Sequence, residues 1–191
     1  MHKLTLTLGL ALTVLATSLS AGALSNRRAP GFSLPDVSLN QRDLRDYEGK
    51  FVIVNLMQTT CPHCSDFSRI LYRAEKMYKG KLQVVGIAKY PPETQQTIRS
   101  YQEKNAISQL ILFDCGQATA SYMKLGPSNP NFDVPHFFLI DQKGWIVEDY
   151  GYNQLNTGIF EGEDLFRILE KYLGKPATAA VQSGASANSG F

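Results

Sequence analysis

Short apolar runs recur along this chain, and amphipathic segments separate them. Residues 51–57, 82–88 and 110–113 are mostly apolar and rich in β-branched side chains, which predicts strands buried on both faces of a sheet. A fourth run at 137–140 precedes the turn sequence of residues 141–144 and a short return strand, which predicts an antiparallel hairpin. These strands are expected to form the centre of the fold.

Four further segments have apolar side chains at helical spacing. Residues 93–105 have a thin apolar face, so this helix is expected to lie at the surface, whereas residues 118–125 predict a short helix and residues 163–173 an amphipathic one. The remaining segment follows the strand at 51–57. Its apolar side comprises Phe67, Ile70, Leu71, Ala74, Met77 and Tyr78.

The order of these elements predicts the fold class. Three strand–helix pairs predict parallel strands with right-handed crossovers, whereas the later hairpin predicts an antiparallel edge. Residues 32–37 alternate weakly, as in an edge strand, where Pro35 is tolerated. The chain is therefore predicted to be an α/β protein whose mixed central sheet carries helices on both faces.

The two ends of the chain differ from this body. Residues 1–23 have a short basic start, a mostly apolar segment and small residues at 21–23, which predicts a secretory signal peptide. An uncleaved membrane anchor is the alternative, because the apolar run nearly reaches spanning length. Either interpretation places the protein outside the cytoplasm, in the periplasm or a similar space, where disulfides persist. Residues 24–29 are predicted to be a linker, 30–173 one domain, and 174–191 a disordered tail.

Charge and cysteine content narrow the function further. The net charge is +2, and Lys and Arg form no cluster beyond short pairs, so no nucleic-acid partner is expected. Three cysteines in 191 residues do not make a disulfide scaffold. They indicate one working pair and one extra thiol.

The working pair is predicted to be Cys61 and Cys64, which lie where the strand at 51–57 turns into a helix. The unpaired N–H groups and the macrodipole at a helix N-terminus favour an anion, and a thiolate is one. Cys61 is expected to cap the helix and face solvent, and Cys64 to be more enclosed. His63, between them, would add positive charge that favours the thiolate of Cys61.

This spacing suits thiol–disulfide exchange, which needs an attacking thiolate and a second thiol that resolves the mixed disulfide. Two intervening residues on a first helical turn bring both sulfurs within bonding distance. A structural disulfide or half of a zinc site are the alternatives. A zinc site would want a second cysteine pair, and only Cys115 remains.

With these motifs in this order, the chain resembles the thioredoxin superfamily over residues 30–173. Within it, the chain is most similar to the TlpA-like and redoxin (AhpC/TSA-related) group of extracytoplasmic thiol–disulfide oxidoreductases. Besides the cysteine pair, the resemblance rests on the entry sequence at 29–36, on residues 47–50, on Val134-Pro135 and on residues 138–144. It implies a thioredoxin-like fold that exchanges disulfides with protein substrates and uses no cofactor beyond its own redox-active disulfide.

The resemblance also implies partners and site residues. Protein thiols or disulfides would be substrates, and a redox partner would recharge the site; a membrane anchor would be present if the leader is not cleaved. The peptide bond between Val134 and Pro135 would be cis, packed against the active cysteines, with its backbone pairing with a bound peptide. The catalytic residues would be Cys61, Pro62, His63, Cys64 and Pro135, and the substrate-contacting residues Thr60, Val134 and His136.

Two departures from the family leave the direction of electron flow open. Thr60 stands where members of this group usually have Trp before the first cysteine. Pro62-His63 is similar to the inner dipeptide of DsbA, the periplasmic oxidase, whereas the scaffold resembles reductases. The motif therefore favours an oxidising pair, and the scaffold a reducing one.

Two other functions share parts of this pattern. A copper chaperone of the Sco type would bind Cu(I) through both cysteines and a histidine such as His136, but that family has three residues between its cysteines. A thiol peroxidase would share the entry motif, but it would need Thr three residues before the reactive Cys61, where this chain has Gln58.

Several other residues have open roles. Asn55 is expected to be a hydrogen-bonding core residue, and Cys115 a bystander thiol or a resolving or regulatory one. His136 either tunes the sulfurs, contacts substrate, or is an ordinary strand histidine. Packing roles are expected for Tyr90, Tyr101, Tyr122 and Trp145.

Overall fold

A computed structural model describes residues 22–89 and 91–176 of the protein. Most of the predicted signal peptide, Tyr90 and most of the predicted tail lie outside the described residues. No helix within 22–89 and 91–176 is long and apolar enough to cross a membrane.

A six-stranded mixed sheet forms the centre of the fold, with strand order β1-β8-β7-β4-β5-β6. Strand β4 pairs in parallel with β5, which pairs in parallel with β6, whereas β7 is antiparallel to both β4 and β8. The predicted parallel half and antiparallel hairpin are therefore confirmed. The strands are β1 (Arg27–Arg28), β4 (Phe51–Met57), β5 (Leu82–Lys89), β6 (Leu110–Asp114), β7 (His136–Ile140) and β8 (Trp145–Gly151).

The N-terminal segment differs from the prediction in two places. The predicted linker contains β1, which pairs with β8 and so extends the sheet. The predicted edge strand at 32–37 joins this sheet only through Asp36, which forms an isolated antiparallel bridge with Leu112 of β6. Its residues Ser33–Pro35 form β2, which pairs with β3 (Gln41–Asp43) in a separate hairpin. The buried Asp36 accounts for this turn, because its carboxylate accepts N–H bonds from Ser38 and Asn40.

Within residues 22–89 and 91–176, five α-helices cover the sheet. On one face lie α1 with α4 and α5, and on the other α3 with the N-terminal segment. Helix α2 packs beside α1. The short α4 was not predicted, because a helix of about one turn has too few residues to show a helical pattern. Gly162, with a positive φ of 106°, separates it from α5. The helices are α1 (Pro62–Met77), α2 (Gln95–Asn105), α3 (Gln117–Met123), α4 (Thr157–Glu161) and α5 (Glu163–Leu173).

The central strand β4 is buried on both faces, as predicted. Ile53 packs toward α1 and α5, whereas Val52 and Val54 pack toward α3. Two predicted packing residues are more exposed than expected. Met77, at the last residue of α1, is 40% exposed because the following Tyr78 takes the buried place, and Trp145, at the start of β8, is 45% exposed.

The packing of α1 against the sheet can be tested with a pair of leucines. Leu71 is fully buried between α1 and the sheet, and Leu71→Ala is expected to lower the free energy of unfolding by about 2–5 kcal/mol. Leu155 is 99% exposed in the loop after β8, so Leu155→Ala should change it by less than about 0.5 kcal/mol. Urea denaturation of the reduced proteins measures both values, and equal losses would contradict this packing.

Candidate active site

Cys61 is the N-cap residue of α1, as the sequence predicted. Its backbone is extended, Pro62 occupies the first helical position, and the Cys61 sulfur accepts the backbone N–H of Cys64 at 3.1 Å. Proline suits this position because its missing N–H would have no helical partner there. The sulfur thus occupies the place of a capping oxygen, at the positive end of the helix macrodipole.

The two sulfurs differ in burial. Cys61 is partly exposed and Cys64 is fully buried, and both thiols are free in the structure. Burial, together with the hydrogen bond to Cys61, raises the pKa of Cys64 well above its usual range. Cys64 therefore keeps its proton at neutral pH, and Cys61 is the sulfur that an incoming group can reach.

The loop that ends in Pro135 lies beside the Cys61 sulfur, opposite the N-terminus of α1. The peptide bond between Val134 and Pro135 is cis, as predicted, and the Cys61 sulfur lies 3.8 Å from the Val134 carbonyl oxygen. Pro135 is buried, Val134 is partly buried, and Thr60 beside Cys61 is exposed. The structure therefore brings the Val134–Pro135 peptide close to the Cys61 sulfur, and Thr60 adjoins Cys61 in the chain.

His63 is exposed and stacks on an aromatic ring that the sequence analysis did not identify. Its imidazole lies parallel to the ring of Tyr152, with 4.2 Å between centroids and an interplanar angle of 22°. The Tyr152 backbone N–H donates to the Pro135 carbonyl at 3.0 Å. No local signal marks Tyr152, because it reaches the site only through the pairing of β8 with β7.

His136 does not share the surface of the site. It is 8% exposed, its Nε2 lies 3.6 Å from the Asp149 carboxylate, and its ring stacks on Phe138. A Cβ at Gly151 would lie 2.8 Å from its Nδ1, so glycine is required opposite the ring. This burial leaves little of His136 for contact with substrate, and its contacts are those of a packed strand histidine.

Tyr101 supports the first turn of α1 from below. Its hydroxyl lies 2.9 Å from the Cys64 carbonyl oxygen and 2.8 Å from the Ser68 hydroxyl. Burial raises the pKa of Tyr101 to about 12, so the hydroxyl keeps its proton. The predicted packing role is therefore accompanied by a hydrogen bond to the backbone of the active-site helix.

Glu93 holds the turn in front of Cys61. It is 3% exposed, and its carboxylate accepts the Thr59 backbone N–H at 2.7 Å, the Thr59 hydroxyl at 2.8 Å and the Thr97 hydroxyl at 2.7 Å. The prediction that Glu93 begins a surface helix is wrong, because Thr94 caps α2 and the buried Glu93 precedes it. A charged residue after two prolines carries no sequence signal that it is buried.

Asn55 and Cys115, whose roles the sequence left open, lie in different surroundings. Asn55 is fully buried, but its side-chain amide has no hydrogen-bond partner within the described chain, contrary to the expected bonded core residue. Cys115 is exposed in the turn between β6 and α3. Among residues 22–89 and 91–176, no group of three His, Cys, Asp or Glu side chains is arranged to hold a metal ion.

Alkylation tests the unequal reactivity of the two sulfurs. In reduced Cys115→Ser protein, which lacks the other exposed thiol, iodoacetamide at neutral pH should modify Cys61 and leave Cys64 unmodified. The reason is that Cys64 is both buried and protonated. Peptide mass spectrometry reads the sites, and unfolding in urea should expose Cys64 to the reagent. Modification of Cys64 at an equal rate in the folded protein would contradict this assignment.

Comparison with known proteins identifies the family and its relatives. A model of the AhpC/TSA family matches residues 26–149. The Thioredoxin-like protein YneN of Bacillus subtilis is 26% identical over 129 residues, which cover 67% of this chain and 71% of the relative. The Thiol-disulfide oxidoreductase ResA of Geobacillus kaustophilus is 28% identical over 142 residues, which cover 74% of each protein.

A solved structure gives the same fold. The crystal structure of a thiol:disulfide interchange protein of the thioredoxin family from Chlorobium tepidum superposes with a TM-score of 0.64 at 21% identity. The match covers 78% of this chain and 97% of that one. The thioredoxin-like fold and the predicted class of activity, thiol–disulfide exchange, are thus confirmed, and the chain belongs to the AhpC/TSA family.

Proposed function

We propose that Cys61 and Cys64 are the exchanging pair of an extracytoplasmic thiol–disulfide oxidoreductase that acts on proteins. The observation that carries this proposal is the geometry of Cys61. The Cys61 sulfur caps α1 and lies 3.8 Å from the Val134 carbonyl oxygen, and Cys61 is partly exposed. Cys64 is buried in the first turn of the same helix. That arrangement gives one accessible nucleophile and one protected resolving thiol.

The exchange proceeds in two steps. The Cys61 thiolate attacks one sulfur of a substrate disulfide, which forms a mixed disulfide and releases the other substrate sulfur as a thiolate that takes up a proton. Cys64 then loses its proton and attacks Cys61, which releases the second substrate sulfur and closes the Cys61–Cys64 disulfide. Two electrons pass from the protein to the substrate, and the reverse sequence oxidises a substrate dithiol.

The proposed roles of the other site residues follow from where they lie relative to Cys61. Pro62 and Pro135 shape the two walls around Cys61, His63 supplies charge, and Thr60 and Val134 contact the substrate chain. His136 is left out of the substrate contacts because its side chain is buried against Asp149. The pair itself carries the electrons, so the proposed reaction needs no cofactor, and a second redox protein recharges the pair.

The loop that follows Tyr152 exposes a leucine that a protein substrate could contact. Leu155 is 99% exposed, three residues after Tyr152, in a loop held by its own polar side chains. The Asn153 side chain accepts the Leu155 N–H at 2.8 Å, and the Asn156 side chain accepts the Asn153 N–H at 2.9 Å. The loop begins at Tyr152, which stacks on His63, so the exposed Leu155 side chain is available for contact with a protein substrate.

The copper and peroxidase alternatives gain no support from the site. His136 faces Asp149 instead of joining Cys61 and Cys64 as a third ligand. Gln58 stands three residues before Cys61 and lacks the hydroxyl that the peroxidase pattern requires at that position. The proposed location outside the cytoplasm is supported by the apolar leader in residues 1–23 and by the redox pair.

Trapping tests the assignment of the attacking sulfur. Cys64→Ser removes the resolving thiol, so incubation with a disulfide-bonded protein such as oxidised insulin should accumulate a mixed disulfide through Cys61. Cys115→Ser in the same chain removes the other thiol, and Cys61→Ser in that background is the matched control. Non-reducing gels and mass spectrometry identify the linkage. Trapping through Cys64 in the control at an equal rate would reverse the assignment.

The reduction potential of the pair tests both the charge of His63 and the direction of electron flow. Positive charge next to Cys61 stabilises the reduced form, so His63→Ala should make the pair more reducing, by at most about 30 mV. A glutathione redox titration measures both proteins. An unchanged potential would show that His63 only spaces the cysteines. A wild-type value near that of thioredoxin makes the protein a reductase, and one near that of DsbA an oxidase.

A further inference from the structure

Tyr152, which stacks on His63, has further contacts with the core and with the loop beside Cys61. The Tyr152 ring lies face to face with the exposed imidazole at 4.2 Å and meets the buried Phe160 edge-on at 5.4 Å. Its backbone N–H is bonded to the Pro135 carbonyl. Tyr152 is therefore fixed from the core side and from the loop beside Cys61, and it offers a rigid ring face to His63.

A tyrosine ring face carries partial negative charge and attracts a cation. An imidazolium over that face is therefore favoured over a neutral imidazole, since only the charged form gains the electrostatic attraction. The same imidazolium favours a thiolate at Cys61, which lies two residues away at the helix N-terminus. Because binding free energies are reciprocal, a group that favours the imidazolium also favours the thiolate.

We infer that Tyr152 is a positioning residue that sets the reduction potential of the Cys61–Cys64 pair through its stack on His63. This inference rests on the proposed function, because it concerns the potential of the same pair. Tyr152 does not touch the reacting sulfurs in this role. It holds the His63 ring at the first turn of α1, where a positive charge on that ring would stabilise the reduced form of the pair and make its disulfide more oxidising.

The test is a double-mutant cycle in the Cys115→Ser protein. Two glutathione molecules reduce the Cys61–Cys64 disulfide to the dithiol and become one glutathione disulfide, and the equilibrium constant K of that reaction is measured. Tyr152→Leu removes the ring face at similar size and should lower K about twofold to fivefold. That change corresponds to about 10–20 mV toward a more reducing pair. Tyr152→Phe keeps the ring face and should retain most of K.

The His63→Ala background separates the stack from other effects of Tyr152. With the imidazole absent, Tyr152→Leu should leave K unchanged, since Tyr152 then has no His63 ring through which to affect Cys61. An equal drop in both backgrounds would overturn the inference, because Tyr152 would then act through the Pro135 loop or through packing. No drop in either background would overturn it as well. A further charge-free control is His63→Phe, which preserves an aromatic stack and should give the K of His63→Ala.

Folding and function are checked separately. If circular dichroism shows that Tyr152→Leu does not fold, Tyr152→Gln provides the same comparison, because it also lacks a ring face and tolerates solvent. A wild-type protein that forms no reversible Cys61–Cys64 disulfide in glutathione buffer would refute the proposed function itself. A normal wild-type potential without coupling between His63 and Tyr152 would refute only the role of the stack.

Discussion

The N-terminus of α1 is the constraint around which this protein is built. A helix of sixteen residues leaves its first N–H groups without helical partners, and the Cys61 sulfur accepts one of them from Cys64. That single contact places a reactive sulfur at the positive end of the helix and keeps the second sulfur one turn inside it. The buried face of α1 packs on the central strands, and this packing fixes the position of the turn.

Several buried contacts converge on that turn from different parts of the chain. Glu93 holds the residues before Cys61 through the N–H and hydroxyl of Thr59, and Tyr101 holds the backbone at Cys64. Both come from the segment around α2, which had been expected only to cover the surface. The turn is therefore tied to α2 by hydrogen bonds as well as by apolar packing, and its geometry does not depend on α1 alone.

The proposed redox character of the pair depends on the groups around Cys61. The helix N-terminus and a positive charge on His63 favour the thiolate, and the Glu93 side chain is bonded to the backbone of Thr59, two residues before Cys61. His63 is exposed to solvent, whereas Glu93 is buried. An inner dipeptide like that of DsbA therefore does not by itself fix the potential, because side chains outside the motif also lie close to Cys61.

The sequence alone determined the elements and the chemistry that depend on local pattern. Apolar runs identified the strands, helical spacing identified α1 and α5, and the Cys61–Cys64 spacing located the redox pair and its more exposed sulfur. Position within the family also located Val134 and Pro135 beside that sulfur. Only the tertiary structure decided which distant residues reach the site. Tyr152 arrives through strand pairing, Glu93 is buried by the turn it holds, and His136 turns toward Asp149 instead of the sulfurs. These placements depend on contacts between residues far apart in the chain, and no periodicity or local spacing encodes such contacts.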